Sequence, residues 1–219
     1  MKQPTSLAHR DLIQRLIRYK NILTKFRSMG LTRVFSGNLG DAAGISASLV
    51  RKDFSLARIA VGQKRGGYPI DSLLKGLDSI LGESTLQRVI VVGCGKIGTA
   101  LMNYPGLSTA SIQVVAGFDI NPDILDPGAP IPVLHLRQLP DFVREHDIQV
   151  AILTVPEPAA ADVFVQLADA GVRGVLNFSP VQLKAPSTLH VHNIHIPLEI
   201  ENLFYHVRFP PPSGSGIKI

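Results

Sequence analysis

The sequence predicts an α/β fold in two modules: a basic helical unit, followed by a doubly wound parallel sheet with a terminal helix. Three observations predict it. Charge divides along the 219 residues: residues 1–75 carry 14 Lys/Arg against 4 Asp/Glu, a net of +10, and the remainder carries 8 against 13, a net of −5. Apolar residues recur at helical spacing up to Leu81. After Arg88, short β-branched runs alternate with helical patterns, which is the signature of parallel βαβ units.

Composition bounds the function. A hydrophobic content of 45% and a mean hydropathy of +0.21 are ample for a buried core. No run approaches the roughly 18 to 20 apolar residues of a membrane helix, and MKQPTSLAHRDL lacks the apolar stretch of a secretory signal. The single cysteine, Cys94, excludes an internal disulfide framework and fits a reducing compartment. The expectation is a soluble cytoplasmic protein without membrane contact, whose +10 segment faces a polyanion, with nucleic acid the best candidate.

In the first module, residues 12–26 place Leu12, Ile13, Leu16, Ile17, Tyr19, Ile22, Leu23 and Phe26 on one helical face, with Arg15, Arg18, Lys20 and Lys25 mostly opposite. Gly30 ends this helix. A shorter helix is expected from Ser36 or Gly37 to Ala43, then Gly44. A third begins at ISASLVRKDFS, with Ser46 as cap and Leu49, Val50 and Phe54 turned inward. Helix, glycine turn, helix is a DNA-reading arrangement, and its second helix would expose Ser48, Arg51 and Lys52 to phosphates and base edges. VGQKRGGYPI follows, with Lys64 and Arg65 at the tip of a glycine-flanked loop closed by Gly66 and Gly67. Paired cations on such a hairpin suit a wing on the DNA backbone. The module therefore reads as a winged-helix DNA-binding domain over 1–81. A further helix spans 70–81 and GEST, 82–85, reads as a linker.

The second module, 86–195, opens on a strand over 88–92 and the loop GCGKIG. Gly93, Gly95 and Gly98 have the G-x-G-x-x-G spacing: the first makes the tight turn, the second admits a pyrophosphate, the third lets helix and strand meet. Cys94, Lys96 and Ile97 complete the loop, and the helix N-terminus beginning near Lys96 favours the phosphate charge. The next strand, IQVVAGFD, ends in Asp119, 21 residues beyond Gly98. A carboxylate there bonds a ribose 2′-hydroxyl and repels a 2′-phosphate, so NAD(H) is expected rather than NADP(H). A strand over 131–136, a helix over 139–146, a strand over 150–155, a helix from Pro156 to Gly171 and a strand over 172–178 complete a Rossmann-like alternation. Thr154, Val155 and Pro156, then Asn177, Ser179 and Pro180, follow strand C-termini, where ligands bind in such sheets. Asn177 and Ser179 could equally cap their own loop. IPLEIENLFYHV, 196–207, is a helix with a broad apolar face suited to a dimer contact or to packing on its own sheet. The tail 208–219 is expected to be extended or disordered.

Other residues read more plainly. Cys94 sits where the turn needs a small side chain, which fits packing better than redox chemistry. In HVHNIHIP, a strand would put His190 and His192 on one face and His195 on the other, so three metal ligands do not converge. No catalytic residue and no metal site is assigned. With a basic helical module before the sheet and no stretch left for a substrate domain, the dinucleotide is expected to be sensed rather than turned over. The alternatives are a small NAD-dependent oxidoreductase, a sheet that binds coenzyme A, and a DNA-binding dimer whose sheet is only a scaffold. Asp119 argues against coenzyme A, which carries a 3′-phosphate on its ribose.

The order of the parts resembles the Rex family of redox-sensing transcriptional repressors along essentially the whole chain. The motifs that carry it are VRKDFS (50–55), KRGGY (64–68), GCGKIGTALMNY (93–104), FDINP (118–122), AILTVP (151–156) and NFSPV (177–181). The resemblance implies a homodimer with winged helices on the two halves of a palindromic double-stranded operator and NAD(H) in the Rossmann domains. It implies that NADH disfavours the DNA-binding arrangement, and that the helix over 196–207 swaps into the partner near the nicotinamide. It also implies a role near the cofactor for Tyr104, paired in the family with an aspartate just before the final helix, which contacts an arginine matched by Arg15 in one ligand state. Here His195 stands in place of that aspartate, and a histidine cannot make a carboxylate–guanidinium pair. LARIAVGQ, before the wing, departs from the family's more glycine-rich pattern.

Overall fold

The computed structural model describes residues 7–59, 66–82, 86–109, 111–186 and 189–210. They divide into two compact units, Met1–Thr85 and Leu86–Ile219.

In the first unit, α1 (Leu7–Ser28) starts earlier than the apolar stripe requires, because no glycine or proline interrupts residues 7–11. Leu16, Tyr19 and Leu23 are fully buried, whereas Ile17, a step of about 100° off that stripe, is 46% exposed. The helix stops at Gly30 (φ 84°), where Leu31 N–H turns back to Phe26 O at 3.1 Å. β1 (Arg33–Val34) leads to α2 (Ser36–Ala43), which ends at left-handed Gly44. α3 (Ala47–Leu56) is capped by Ser46, whose hydroxyl accepts from Leu49 N–H at 3.3 Å. β2 (Tyr68–Pro69) pairs antiparallel with β1, so the strand returning from the expected wing lies against residues upstream of α2. The wing tip with Lys64 and Arg65 falls outside the described residues. α4 (Ile70–Leu81) closes the unit, burying Ile70, Leu73, Leu74 and Leu77 against α1.

One charged group lies inside this core. Asp53, on α3, is 0% exposed. Arg15 grips it with two hydrogen bonds, Nε to Oδ2 at 2.6 Å and Nη2 to Oδ1 at 2.8 Å, and the Tyr19 hydroxyl donates to Oδ2 at 2.7 Å. Burial alone would raise the Asp53 carboxyl. The hydrogen bonds from Arg15 and Tyr19, with the Arg15 charge, outweigh burial and hold it below its usual value.

The second unit begins with β3 (Gln87–Val92), α5 (Lys96–Met102), α6 (Pro105–Thr109) and β4 (Ile112–Asp119). Then come β5 (Val133–His135), α7 (Leu139–Glu145), β6 (Val150–Leu153), α8 (Glu157–Ala170), β7 (Gly174–Asn177), β8 (His190–Asn193) and α9 (Ile196–Arg208). The sheet is parallel throughout, in the order β5-β4-β3-β6-β7-β8. This is a doubly wound sheet whose winding reverses between β3 and β6. Period-2 alternation divides β3 between two cores: Ile90 and Val92 face the cluster containing α7 and α8, and Val89 and Val91 face Met102 of α5.

Some strands are shorter than expected. The run 131–136 forms a strand only at Val133–His135, because Pro132 lacks an N–H and Leu136–Gln138 turn into a 3-10 helix capped by His135. The run 172–178 is strand only at Gly174–Asn177. α9 buries none of its residues, and Leu198, Leu203, Phe204 and Val207 are all more than half exposed. Residues 211–219 of the expected tail lie outside the described residues.

A carboxyl held low by its partners adds stability that is present above its unfolded-state pKa, about 3.9, and is lost as pH falls through the lower folded value. Asp53→Asn should therefore destabilise the first unit by about 3 kcal/mol at neutral pH. It should also flatten the acid limb of its stability profile, as read by amide exchange of α1 and α3 and by thermal unfolding across the acid range.

Candidate functional site

The loop after β3 stands where the sheet's winding reverses. Gly93 has φ 93°, and a Cβ there would lie 2.8 Å from the Thr154 carbonyl carbon. A Cβ on Gly98 would fall 1.9 Å from Gly93 O, so α5 sits directly against the turn and only glycine fits. Gly95 has nothing within 4 Å of its missing side chain, which leaves backbone open to a ligand. The α5 ladder begins with Thr99 N–H to Gly95 O at 2.9 Å, so the N–H groups of exposed Lys96 and Ile97 stand at the orphan-donor end of the helix.

Asp119, at the end of β4, reaches this loop. Its Oδ2 accepts from Cys94 N–H at 2.7 Å, and its Oδ1 accepts from the N–H groups of Ile120 (2.7 Å) and Asn121 (2.9 Å). The carboxylate is thus fixed beside the glycine turn. Cys94 itself is 5% exposed and packs against Gly117 and Met102. Burial, then the Asp119 charge, pushes its thiol up to about 11. Both favour the packing role.

Thr154 follows β6 across the reversal, and its hydroxyl donates to Gly93 O, which joins the two lips of the crevice. Val155 is 9% exposed and Pro156 is exposed. In the group after β7, Asn177 is turned to its own loop. Asn177 is 0% exposed; its amide donates to Val181 O and Asn193 Oδ1, both at 2.8 Å, and its Oδ1 accepts from Ser179 N–H at 2.9 Å. It therefore holds the loop and ties β7 to β8. Ser179 is 2% exposed, and Pro180 is exposed. Tyr104 is not brought to the glycine loop within this chain. It lies beyond the far end of α5, about 10 Å along the helix, 57% exposed in a hollow with Leu107, Ile112 and Pro130.

In the first unit, α3 exposes Ser46, Ser48, Arg51 and Lys52 together. Ser46 and Ser48 hydroxyls lie 2.9 Å apart, and Arg51 Nη1 donates to Ser36 Oγ of α2 at 3.0 Å, so the guanidinium is held at the surface. Gly66 is exposed, and its carbonyl and that of Gly67 accept from Arg33 at the base of the ribbon. Sequence reasoning missed Asp53. The signal is there: three and four residues along from Val50, Asp53 and Phe54 share its inward face, and a buried acid needs a cation.

Two roles implied by resemblance meet this geometry. Arg15 is bonded to Asp53 of its own unit. His195 caps α9, its Nδ1 accepting from Leu198 N–H at 3.1 Å. His190 and His192 are both exposed on β8. Among the described residues, no group of three or more His, Cys, Asp or Glu could hold a metal, and no helix is long and apolar enough to cross a membrane.

Residues 10–55 match the family model "Putative DNA-binding protein N-terminus", and residues 84–181 match the model "CoA binding domain". The redox-sensing transcriptional repressor Rex of Oenococcus oeni is 35% identical over 90% of this chain and 92% of its own length. Rex of Exiguobacterium sibiricum is 31% identical over the whole of both chains. The crystal structure of RSP in complex with β-NAD+ and operator DNA is similar at a TM-score of 0.81, with 28% identity over 94% of each chain. RSP, a Rex-family repressor, in complex with β-NADH gives 0.77 at 27% identity, covering 94% of this chain and 96% of that one. The chain belongs to the Rex family of redox-sensing transcriptional repressors.

Proposed function

We propose that this chain is a repressor whose operator binding is modulated by NADH and NAD held in its Rossmann-like unit. The observation that carries the reading is a backbone cradle for a dinucleotide, fixed by Asp119, in a chain whose other unit presents Arg51 and Lys52 on an exposed helix. The backbone N–H groups of Gly95, Lys96, Ile97 and Gly98 would hold the pyrophosphate, with Gly93 and Cys94 shaping the turn through their own bonds to Phe118 O and Asp119, and Asp119 would hold the adenine ribose. Thr154, Val155, Pro156, Ser179 and Pro180 would border the nicotinamide, with Asn177 shaping the loop behind them. Coenzyme A is the second ligand to test, since one family model carries its name, but its 3′-phosphate would meet the Asp119 carboxylate.

The domain scheme is a winged-helix unit over 1–81, a linker over 82–85, a dinucleotide unit over 86–195 and a dimerisation helix over 196–207. The exposed apolar residues of α9 favour a homodimer in which that helix is covered by the partner. Operator half-sites about 34 Å apart require two recognition helices at that spacing. Operator affinity then depends on which dimer arrangement the dinucleotide prefers, and changes only by its differential affinity for the two. The role is regulatory and non-catalytic, and the setting is the cytoplasm.

The experiment is fluorescence anisotropy of the chain on palindromic duplexes at fixed salt, with NAD and then NADH added. Tight binding released by NADH and not by NAD is expected. Binding to no duplex from a random pool would sink the reading. Arg51→Ala should cost about 1–3 kcal/mol on operator and less on scrambled duplex. Lys52→Ala should weaken both alike and lower the log–log salt slope by about 1. Gly98→Ala must displace the Gly93 carbonyl, so NADH affinity should fall by about fivefold to a hundredfold, from about 1–3 kcal/mol of misfit. Nucleotide fluorescence titration would check it.

A further inference from the structure

Among the described residues the buried polar or charged ones are Asp53, Asn177 and Ser179, so Asp53 is the one buried charge, and it sits on α3 next to Lys52. Stability does not explain it. A buried ion pair is commonly no more stabilising than apolar side chains of the same volume, because desolvation offsets the attraction. Direction does. The apolar hold on α3 is the stripe Val50 and Phe54, and apolar contacts are non-directional. Asp53 adds a forked bond from Arg15 and a third from Tyr19, donors one turn apart on α1. A forked guanidinium–carboxylate contact has one good geometry.

We infer that Arg15, Tyr19 and Asp53 form a positioning clamp that fixes the roll of α3 about its own axis, so that Arg51 and Lys52 meet the operator in one register. The inference rests on α3 being the recognition helix. Tyr19 and Asp53 are fully buried and the Arg15 guanidinium is engaged with Asp53, so the clamp acts through the neighbours of Asp53 on α3. A roll of α3 large enough to break the fork turns Arg51 out of register along with Asp53, since the two stand two residues apart on one helix. The clamp governs discrimination between sequences. Attraction to phosphate, which tolerates a rotated helix, is left intact.

The test uses the full-length chain, an operator that it selects from a random duplex pool, and a scrambled duplex at the same salt. The variant Arg15→Met with Asp53→Leu removes the charges together and leaves none buried alone. Its operator-to-scrambled affinity ratio is expected to fall by about tenfold with scrambled-duplex affinity within about twofold of the parent. A merely structural role would not move this ratio, because loss of folded chain removes the same fraction from both duplexes. If the double variant is unfolded at the assay temperature, Arg15→Lys gives the same readout, since it keeps the charge and loses the fork. An unchanged ratio in a folded clamp variant overturns the clamp. Arg51→Ala, run alongside, separates the two ideas. A ratio lost there but kept in the clamp variants overturns the clamp alone, and a parent with no preference among duplexes overturns the recognition-helix reading and the clamp with it.

Discussion

The dinucleotide unit depends on one steric constraint, the contact of α5 with the turn after β3. Gly98 has no room for a single methyl group beside the Gly93 carbonyl. That closeness brings the helix start to the strand end and aligns orphan N–H groups toward one point. Asp119 and Thr154 build on it from the neighbouring strands, one by accepting from Cys94 N–H, the other by donating to Gly93 O. Remove the contact and the turn that both side chains grip loses its fixed position.

The basic unit is organised differently. The exposed residues of α3 have few surface partners, Ser36 Oγ for Arg51 among them. Order comes from behind, through Val50 and Phe54 in the apolar core and Asp53 in a polar grip. Lys20, farther along α1, bonds Asp78 at 2.6 Å and the Gly82 carbonyl at 3.3 Å, which ties the same helix to α4 and its end. α1 thus carries polar contacts to both α3 and α4.

Most of this was legible in the residues, because periodicity and glycine spacing are local. The stripe through Leu16, Tyr19 and Leu23, the cap at Ser46 and the spacing from Gly98 to Asp119 each follow from rules that span a few turns. What stayed hidden depends on partners far along the chain. The β1–β2 ribbon joins residues more than thirty apart and is two residues long, too short for alternation to register. Asp53 reads as one more surface charge until Arg15 is set beside it. Asn177 reads equally as a crevice or a loop residue, and its bond to Asn193, sixteen residues on, is not a local signal. Tyr104 belongs to a motif that runs on from the glycine loop, yet helix length carries it to the other end of α5.

The buried position of Cys94 has a consequence for what such a sensor can hear. The sequence holds one thiol, and it lies under the turn that would receive the dinucleotide, protonated and shielded by Phe118, Gly117 and Met102. Peroxides and electrophiles attack thiolates that they can reach. Oxidant bursts therefore have no reactive thiolate on this loop, so the ratio of nicotinamide forms can be registered there without cross-talk from oxidation of Cys94.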